Sequence, residues 1–487
     1  MKGKVFGNRH FMVYSALLAI LVASSLGSMS CPADSAGAQI GVKKVAVGLF
    51  HTVALADDGT VWAWGSNTYG ECGEGSSDDI LLKPVMINGL EGVKDVAVGN
   101  NFSMALKSDG TVWTWGDNRY GQLGIGTADD GRHPEPVQVP GLTNVIAISA
   151  DFQLAMALKD DGTVWAWGSN SYGQLGDGKP IDIPPPLTYS KEWDMQNKPS
   201  PVMVSGLDHV VSIDASGWQA FAVKDDGTVW GWGQNTCTLG EWSKNNENSL
   251  YTSTPVQIVG LTDVKKACCL GGLSAVALKK DGTVWAWGED RYGVLGNGEV
   301  KSYPDVDKVY NPIQVIGLTD IVDISCGGAH SLALKDDGTV WAWGKNYAGQ
   351  LGDSTNESRG TPCRVPIPAA KAISAGYYSN VAIDKDDNVW AWGMDDYGQL
   401  GDGEHGEMLY RPTPKKVLLS FGGSPTIMPT ATSTPGPIAS PSTLAPTPST
   451  SPTMAGSPWY DALPIVFFIV VAVITGLLAY ILLKRRN

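Results

Sequence analysis

The sequence has few residues of the types that usually carry catalysis or bind metals. It contains six histidines and seven cysteines among 487 residues. The motifs His-Glu-x-x-His, Gly-x-Ser-x-Gly and Gly-x-x-x-x-Gly-Lys-[Ser/Thr] do not occur in it. The cysteines follow no metal-binding spacing, and Cys268 and Cys269 are adjacent, which zinc sites do not use. We therefore expect a protein that is not an enzyme and that has no cofactor and no metal.

Basic residues are also scarce. Lys and Arg number 35 against 49 Asp and Glu, which gives a formal net charge of −14 at pH 7. Binding to phosphate groups requires a dense surface of Lys and Arg. The composition therefore argues against nucleic acid as a partner and against an anionic lipid surface as the main ligand.

Tryptophan, in contrast, is abundant and periodic. A Trp-x-Trp pair follows an Asp-Gly or Asp-Asn dipeptide seven times, at intervals of 49 to 65 residues, and uses 14 of the 18 tryptophans. The pairs are Trp62/Trp64, Trp113/Trp115, Trp165/Trp167, Trp230/Trp232, Trp285/Trp287, Trp341/Trp343 and Trp390/Trp392. Such a period indicates a repeat architecture rather than a series of separate domains.

Each repeat unit predicts about four antiparallel strands. The segment Thr-Val-Trp-Ala-Trp is rich in β-forming residues, and its alternation places both tryptophans on one face of a strand. The preceding Asp-Gly is typical of a tight hairpin turn. A single four-stranded sheet of this kind cannot bury both of its faces. Seven such sheets stacked radially cover one another and close into a ring.

These motifs resemble the regulator of chromosome condensation repeat. Residues 327–334 (Gly-Gly-Ala-His-Ser-Leu-Ala-Leu) and 397–401 (Tyr-Gly-Gln-Leu-Gly) match that repeat well, and the resemblance covers roughly residues 42–420. It implies an all-β, seven-bladed β-propeller and a structural role for His51 and His330. We expect the first strand (Val42 to Val47) and the last (Pro414 to Leu419) to meet and close the ring. Buried thiols are expected for the cysteines, with Cys269 and Cys326 as the candidate disulfide.

The two ends of the chain predict export and membrane anchoring. Residues 1–30 have the layout of a signal peptide, with an uncleaved anchor as the alternative. After a propeller at 31–421, residues 422–458 are rich in Pro, Ser and Thr and predict a disordered stalk or a linker of no set length. Residues 459–487 hold an uncharged run at 463–483 followed by a basic tail, which predicts one transmembrane helix with a cytoplasmic C-terminus.

One face of the predicted propeller has the composition of a binding surface. With the strands of a unit labelled A to D, the A–B and C–D loops share a face, and the C–D loops of units three to five are the longest. Aromatic residues concentrate there: Phe50, Phe152, Trp218 and Tyr378 in the A–B loops, and Trp193, Trp242, Tyr251 and Tyr303 in the C–D loops. We interpret these eight residues as candidate ligand-binding residues. The alternative is that these rings pack against adjacent blades.

The sequence thus favours a cell-surface binding or adhesion module. Its predicted location is the cell membrane, with an extracellular propeller and a protein or carbohydrate ligand. Export separates the chain from any cytosolic GTPase, so the exchange activity known in the family is not expected. A second hypothesis is an inhibitor or regulator of an extracytoplasmic enzyme, resembling propeller-type β-lactamase inhibitors. A hydrolase or lyase is a third, which would need clustered carboxylates, with Asp151, Asp177 and Glu241 as the candidates.

Overall fold

The structure, a computed structural model, describes residues 41–181 and 196–417. In these residues, strands in sequence order form seven four-stranded antiparallel sheets, each made of four consecutive strands. The sequence unit and the blade therefore coincide, and the fold is the predicted seven-bladed all-β propeller. The predicted signal peptide, stalk and transmembrane helix lie outside the described residues, as does Trp193.

The first strand of each blade is the innermost, and these seven strands surround the central channel. They are Val42–Val47 (β1), Val93–Val98 (β5), Val145–Asp151 (β9), Val210–Ser216 (β13), Val264–Leu270 (β17), Ile321–Cys326 (β21) and Ala370–Ala375 (β25). The second strands are His51–Ala56 (β2), Phe102–Lys107 (β6), Leu154–Lys159 (β10), Gln219–Lys224 (β14), Ser274–Lys279 (β18), His330–Lys335 (β22) and Ser379–Asp384 (β26).

The third strands carry the Trp-x-Trp pairs, and the fourth strands form the outer edge. The third strands are Val61–Ser66 (β3), Val112–Asp117 (β7), Val164–Gly168 (β11), Val229–Gln234 (β15), Val284–Glu289 (β19), Val340–Gly344 (β23) and Val389–Met394 (β27). The fourth strands are Ile80–Met86 (β4), Arg132–Gln138 (β8), Lys198–Met203 (β12), Tyr251–Ile258 (β16), Lys308–Gln314 (β20), Arg359–Arg364 (β24) and Tyr410–Val417 (β28). A short helix, Glu241–Asn245 (α1), lies between β15 and β16.

The second tryptophan of each pair joins neighbouring blades. All seven of these side chains are fully buried. The indole Nε1 of each donates a hydrogen bond to a backbone carbonyl in the Tyr-Gly-Gln-Leu-Gly segment of the preceding blade, or in its counterpart, as in Trp115 to Glu71 at 2.9 Å. The last glycine of that segment makes room for the ring: a Cβ on Gly73, which has a φ of 72°, would lie 2.6 Å from Trp115 Nε1.

The ring closes differently from the expectation. The first and last strands do not pair, because β1 and β28 belong to different sheets, one innermost and the other outermost. Instead, β1 packs against β25 and β26 of the seventh blade. Trp64 Nε1 donates to the Gln399 carbonyl at 2.9 Å, so the closing junction repeats the link used between the other blades.

The two repeat histidines have the structural role that the resemblance implies. Both are fully buried. His51 Nε2 lies 2.8 Å from Ser103 Oγ, and His330 Nε2 lies 2.7 Å from Asn380 Oδ1, so each ring bridges to the next blade. Burial lowers the pKa of His51 to about 3 and the pKa of His330 to about 4, which keeps both neutral at physiological pH.

The disulfide joins a different pair from the one expected. Cys268, not Cys269, is bonded to Cys326. Successive residues of a strand point to opposite faces, so Cys268 packs toward the sixth blade and Cys269 toward the fourth. The Cys269 thiol donates to Gln219 Oε1 at 3.2 Å, and Cys72, Cys237 and Cys363 are also free.

Candidate functional site

Backbone hydrogen bonds define equivalent positions in the seven loops between first and second strands. In each blade, the N–H of the residue that follows the third-strand glycine donates to one loop carbonyl. The residues that accept this bond are Phe50, Asn101, Gln153, Trp218, Leu273, Ala329 and Tyr378. Phe152, predicted from the sequence as the counterpart of Phe50, Trp218 and Tyr378, is not in this series, because Gln153 occupies its place. Asp151 in the third blade occupies the position of Gly48 in the first blade. The third loop therefore has no glycine by which its sequence can be aligned with the first.

The shift by one residue places Phe152 nearer the axis, at the position of Tyr377 in the seventh blade. The rings of Phe152 and Tyr377 meet across the channel mouth, with centroids 5.8 Å apart. Trp218 lies 5.9 Å from Phe152 and also 5.9 Å from Tyr172, and Tyr378 lies 4.6 Å from Tyr377. We call these five residues, Phe152, Tyr172, Trp218, Tyr377 and Tyr378, the axial cluster. Three of the predicted residues thus come together, and Trp218 remains 41% exposed.

Phe50 does not join the axial cluster. Its ring lies 4.6 Å from that of Tyr397, which belongs to the seventh blade, and the side chain is half-buried. This contact is the packing between blades that the alternative interpretation expects, and ligand binding by Phe50 stays a prediction.

The described aromatic residues of the long loops lie apart from the axial cluster. Tyr251, predicted in a loop, is the first residue of β16. Its hydroxyl accepts a hydrogen bond from Ile181 N at 2.7 Å and donates one to Ile181 O at 2.9 Å, which joins β16 to the loop of the third blade. Trp242 is half-buried in α1. Tyr303 is 68% exposed, and the guanidinium of Arg291 lies over its ring at 4.2 Å.

A second group of residues on this face was missed from the sequence. The ammonium of Lys345 lies among the rings of Tyr292, Tyr347 and Tyr378, at 5.4, 5.5 and 5.2 Å from their centroids. Burial, and then the nearby Arg291 guanidinium, lower the pKa of Lys345. The sequence contained one signal of this group. In the sixth unit Ala348 replaces the repeat tyrosine, and Tyr347 directly precedes it.

The channel beneath the axial cluster has a volume of about 470 Å³. Asp151 and Asp214 line its wall, and burial raises the pKa of each to about 7. Both carboxylates accept backbone hydrogen bonds, Asp151 from Phe152 N at 2.9 Å and Asp214 from Cys269 N at 3.2 Å. These bonds give both groups a structural role in positioning the loop and the next blade.

The carboxylates proposed for a hydrolase or lyase are held by separate partners. The Asp177 carboxylate lies 3.6 Å from the Lys179 ammonium, and the Glu241 carboxylate lies 3.8 Å from the Lys244 ammonium. Asp151 instead lies near Asp214, which was not among the sequence candidates, and its charge adds to the burial that raises the pKa of Asp214. Within residues 41–181 and 196–417, no group of three or more His, Cys, Asp or Glu side chains is placed to hold a metal ion.

Comparison with known families agrees with this architecture. The RCC1-like domain matches residues 186–434, and the regulator of chromosome condensation (RCC1) repeat matches residues 42–71, 93–122 and 145–174. The chain belongs to the RCC1-like family. A second form of the RCC1 repeat matches residues 58–106 and 109–158.

The individual relatives include a receptor and a ubiquitin ligase. The chain is 29% identical to the ultraviolet-B receptor UVR8 of Arabidopsis thaliana over 66% of this chain and 69% of that protein. It is 31% identical to the human E3 ubiquitin-protein ligase HERC2 over 60% of this chain but 6% of that protein. The RCC1-like relatives favour a binding or regulatory module.

Among solved structures, Prp20p of Saccharomyces cerevisiae has the same fold. The TM-score is 0.60 at 21% identity, covering 78% of this chain and 87% of that one. That protein is described with its binding properties to Gsp1p and histones. The expectations that this chain binds no nucleic acid and no cytosolic GTPase stay predictions. No helix in the described part of the chain is long and apolar enough to cross a membrane.

Proposed function

We propose that this RCC1-like propeller is a binding module that recognises its partner through the face carrying the axial cluster. The observation that carries the proposal is the convergence of five aromatic side chains from three blades at the channel mouth, with Trp218 41% exposed. Partly exposed aromatic rings beside well-packed neighbours are typical of residues that dominate binding energy. The relatives include a receptor and a GTPase regulator homolog, which supports a binding or regulatory role.

Protein is the favoured class of ligand. Sugars stack on flat aromatic platforms, whereas Phe152 and Tyr377 meet edge to face at 69°, and Tyr377 and Tyr378 at 79°. Tyrosine, tryptophan and arginine are the residues most enriched in protein interfaces. Carbohydrate remains the alternative outcome of the binding experiment.

We further propose that the propeller is displayed outside the cell by the C-terminal segment. The support is the sequence alone: a signal-like segment at 1–30, a Pro/Ser/Thr-rich segment at 422–458 and the uncharged run at 463–483. An epitope tag inserted directly after the signal-like segment and a second tag at the C-terminus, probed on intact and permeabilised cells, test this orientation. Access to the C-terminal tag on intact cells would contradict it.

The binding proposal is tested by alanine substitution at Trp218, with Ile146→Ala as the matched control. Ile146 is 50% exposed, and it lies at the start of β9, beside the Asp-Gly turn on the opposite face. We expect Trp218→Ala to weaken capture of surface proteins by the full-length protein at least about tenfold, with little change in stability. Ile146→Ala should leave capture unchanged. Equal capture by both variants, or capture of glycans alone on an array, would contradict a protein-binding aromatic face.

A further inference from the structure

Lys345 is a cation whose ammonium lies among aromatic rings. No Asp or Glu lies within ion-pair distance of its ammonium among the residues that the structure describes, whereas Arg119 and Arg291 each pair with an acidic side chain. Three tyrosine rings from three consecutive blades surround it instead. Cation–π contacts of this kind offset part of the cost of removing a cation from water, but they supply no counter-charge.

The position of Lys345 makes this arrangement particular to the sixth blade. The equivalent residues, which follow the third-strand glycine, are Ser66, Asp117, Ser169, Gln234, Glu289 and Met394 in the other blades. None of them is a cation, and two are acids. Lys345 is therefore the one positive charge in this ring of seven positions.

Arg291 lies next to this cation and has spare hydrogen-bonding capacity. One of its terminal nitrogens donates to Glu289 at 3.0 Å, and its guanidinium stacks on Tyr303. Its Nε is buried without a hydrogen-bond partner in the described structure. Among the residues that the structure describes, Glu289 thus pairs with Arg291 and no acidic side chain pairs with Lys345, although the protein has a net charge of −14.

We propose that Lys345 and Arg291, together with Tyr292, Tyr347 and Tyr378, form a docking site for an acidic segment of a partner protein, and we call these five residues the cationic patch. A partner Asp or Glu would supply the counter-charge that Lys345 lacks, and Arg291 would assist by its charge. Tyr378 belongs both to the cationic patch and to the axial cluster, so one peptide can contact both. The inference rests on the proposed function, because it specifies the partner chemistry for the same face.

The choice of an acidic peptide over an acidic sugar follows from ring geometry. Tyr292 and Tyr347 meet at 73°, with centroids 5.4 Å apart, so they form a cup around the ammonium and not a flat platform. A carboxylate on a flexible side chain can enter such a cup. A pyranose ring needs a broad, flat aromatic surface on which to stack.

The experiment uses two probes that differ only in charge. They are the acetylated, amidated peptides Glu-Glu-Tyr-Glu-Glu and Gln-Gln-Tyr-Gln-Gln, titrated into the full-length protein carrying ¹³C-dimethylated lysines. The Lys345 resonance is assigned by its loss in Lys345→Met, and ring currents from the three tyrosines separate it from other lysines. We expect the acidic peptide, and not the amide peptide, to shift this resonance saturably.

Matched variants give the second readout. Lys345→Met and Arg291→Met should each weaken binding of the acidic peptide at least about tenfold. Lys279→Met is the control, because Lys279 also lies over an aromatic ring, 5.6 Å from the Trp285 centroid, but next to the Asp-Gly turn on the opposite face. Melting temperatures close to wild type for all three variants would show that the fold is retained.

Results that overturn the cationic patch can be told apart from results that overturn the proposed function. Unchanged peptide binding in Lys345→Met, or no shift of its resonance, would overturn the cationic patch. If Trp218→Ala still weakens partner capture in that case, the face binds its partner without the cationic patch. A shift of the Lys345 resonance by trigalacturonate but not by the acidic peptide would replace the protein segment with an acidic sugar and overturn the proposal as stated.

Discussion

At the scale of single residues, Glu71 departs from its repeat in a way that has an energetic consequence. It is fully buried and occupies the position of Gln122, Gln174, Gln350 and Gln399. Its carboxylate accepts a hydrogen bond from Tyr69 N at 2.7 Å, just as Gln122 accepts one from Tyr120 N at 2.9 Å. Burial raises the pKa of Glu71, with Ser66 as the main opposing hydrogen bond.

This shift predicts how stability depends on pH. A carboxyl whose folded-state pKa is raised binds its proton more tightly in the folded protein, so stability falls as pH rises from the unfolded-state pKa through the folded-state pKa. Glu71→Gln keeps the acceptor and removes the charge. We expect it to raise the free energy of unfolding by about 1 kcal/mol at pH 8 and by less at pH 5, measured by urea titration. Gln122→Glu should have the opposite effect, and a loss of stability in Glu71→Gln at pH 8 would contradict the argument.

At the scale of elements, the innermost strands share one pattern of links. In four junctions a side chain on one first strand accepts a hydrogen bond from a backbone N–H on the next. The four pairs are Ser149 to Ala215, Asp214 to Cys269, Ser325 to Ala375 and Ser374 to Val47. Cys268 and Cys326 occupy the same two positions at the junction of the fifth and sixth blades, so the disulfide replaces a hydrogen bond there.

This equivalence predicts a rescue. Cys268→Ser with Cys326→Ala recreates the Ser–Ala pair seen at Ser325 and Ala375, whereas the double alanine variant has neither link. We expect both variants to be less stable than the oxidised protein by about 2–4 kcal/mol, with the Ser/Ala variant about 1 kcal/mol above the double alanine. Chemical denaturation with and without reductant measures this, and only the wild type should respond to reductant. Peptide mapping that joins Cys269 to Cys326 would refute the assignment.

Most elements of the fold were predictable from the sequence. Alternation in Thr-Val-Trp-Ala-Trp and the seven-fold spacing predicted the strands, the blades and the ring, because both are local or strictly periodic. The predicted alignment of the loops was wrong at Phe152, because Asp151 occupies the position that Gly48 holds in the first blade. The cysteine pairing failed because alternation between strand faces separates Cys269 from Cys326.

The candidate site was predicted only in outline. The face and several aromatic residues followed from composition, but the contact of Phe152 with Tyr377 joins the third and seventh blades across the axis, and no local pattern encodes it. The cup around Lys345 depends on side-chain conformations from three blades. Tyr292 is a repeat tyrosine, so its position in the sequence did not mark it as part of a surface site.

At the scale of the whole molecule, the ring is closed without a strand from one end completing a sheet at the other. The closing junction consists of β1 packed on β25 and β26, together with the hydrogen bond from Trp64 to Gln399, residues that lie 335 positions apart. At the other six junctions the chain itself connects the two blades. Loss of the same side-chain contact therefore has different consequences at the closing junction, because only there can the blades separate without a connecting loop to restrain them.

Trp64→Phe tests this difference against Trp287→Phe, which removes the equivalent bond to the Thr238 carbonyl at an internal junction. Both should destabilise the protein. We expect a cost of about 1–3 kcal/mol for Trp287→Phe, because the Thr238 carbonyl loses its donor, and a smaller cost for Trp64→Phe, because Thr52 Oγ1 still donates to the Gln399 carbonyl at 2.8 Å. Only Trp64→Phe should open the ring locally, which hydrogen exchange would detect as faster exchange in β1–β4 and β25–β28, with the central blades protected as before. Uniformly faster exchange in both variants would mean that the seven blades unfold as one cooperative unit and that the closing junction is no weaker than the rest.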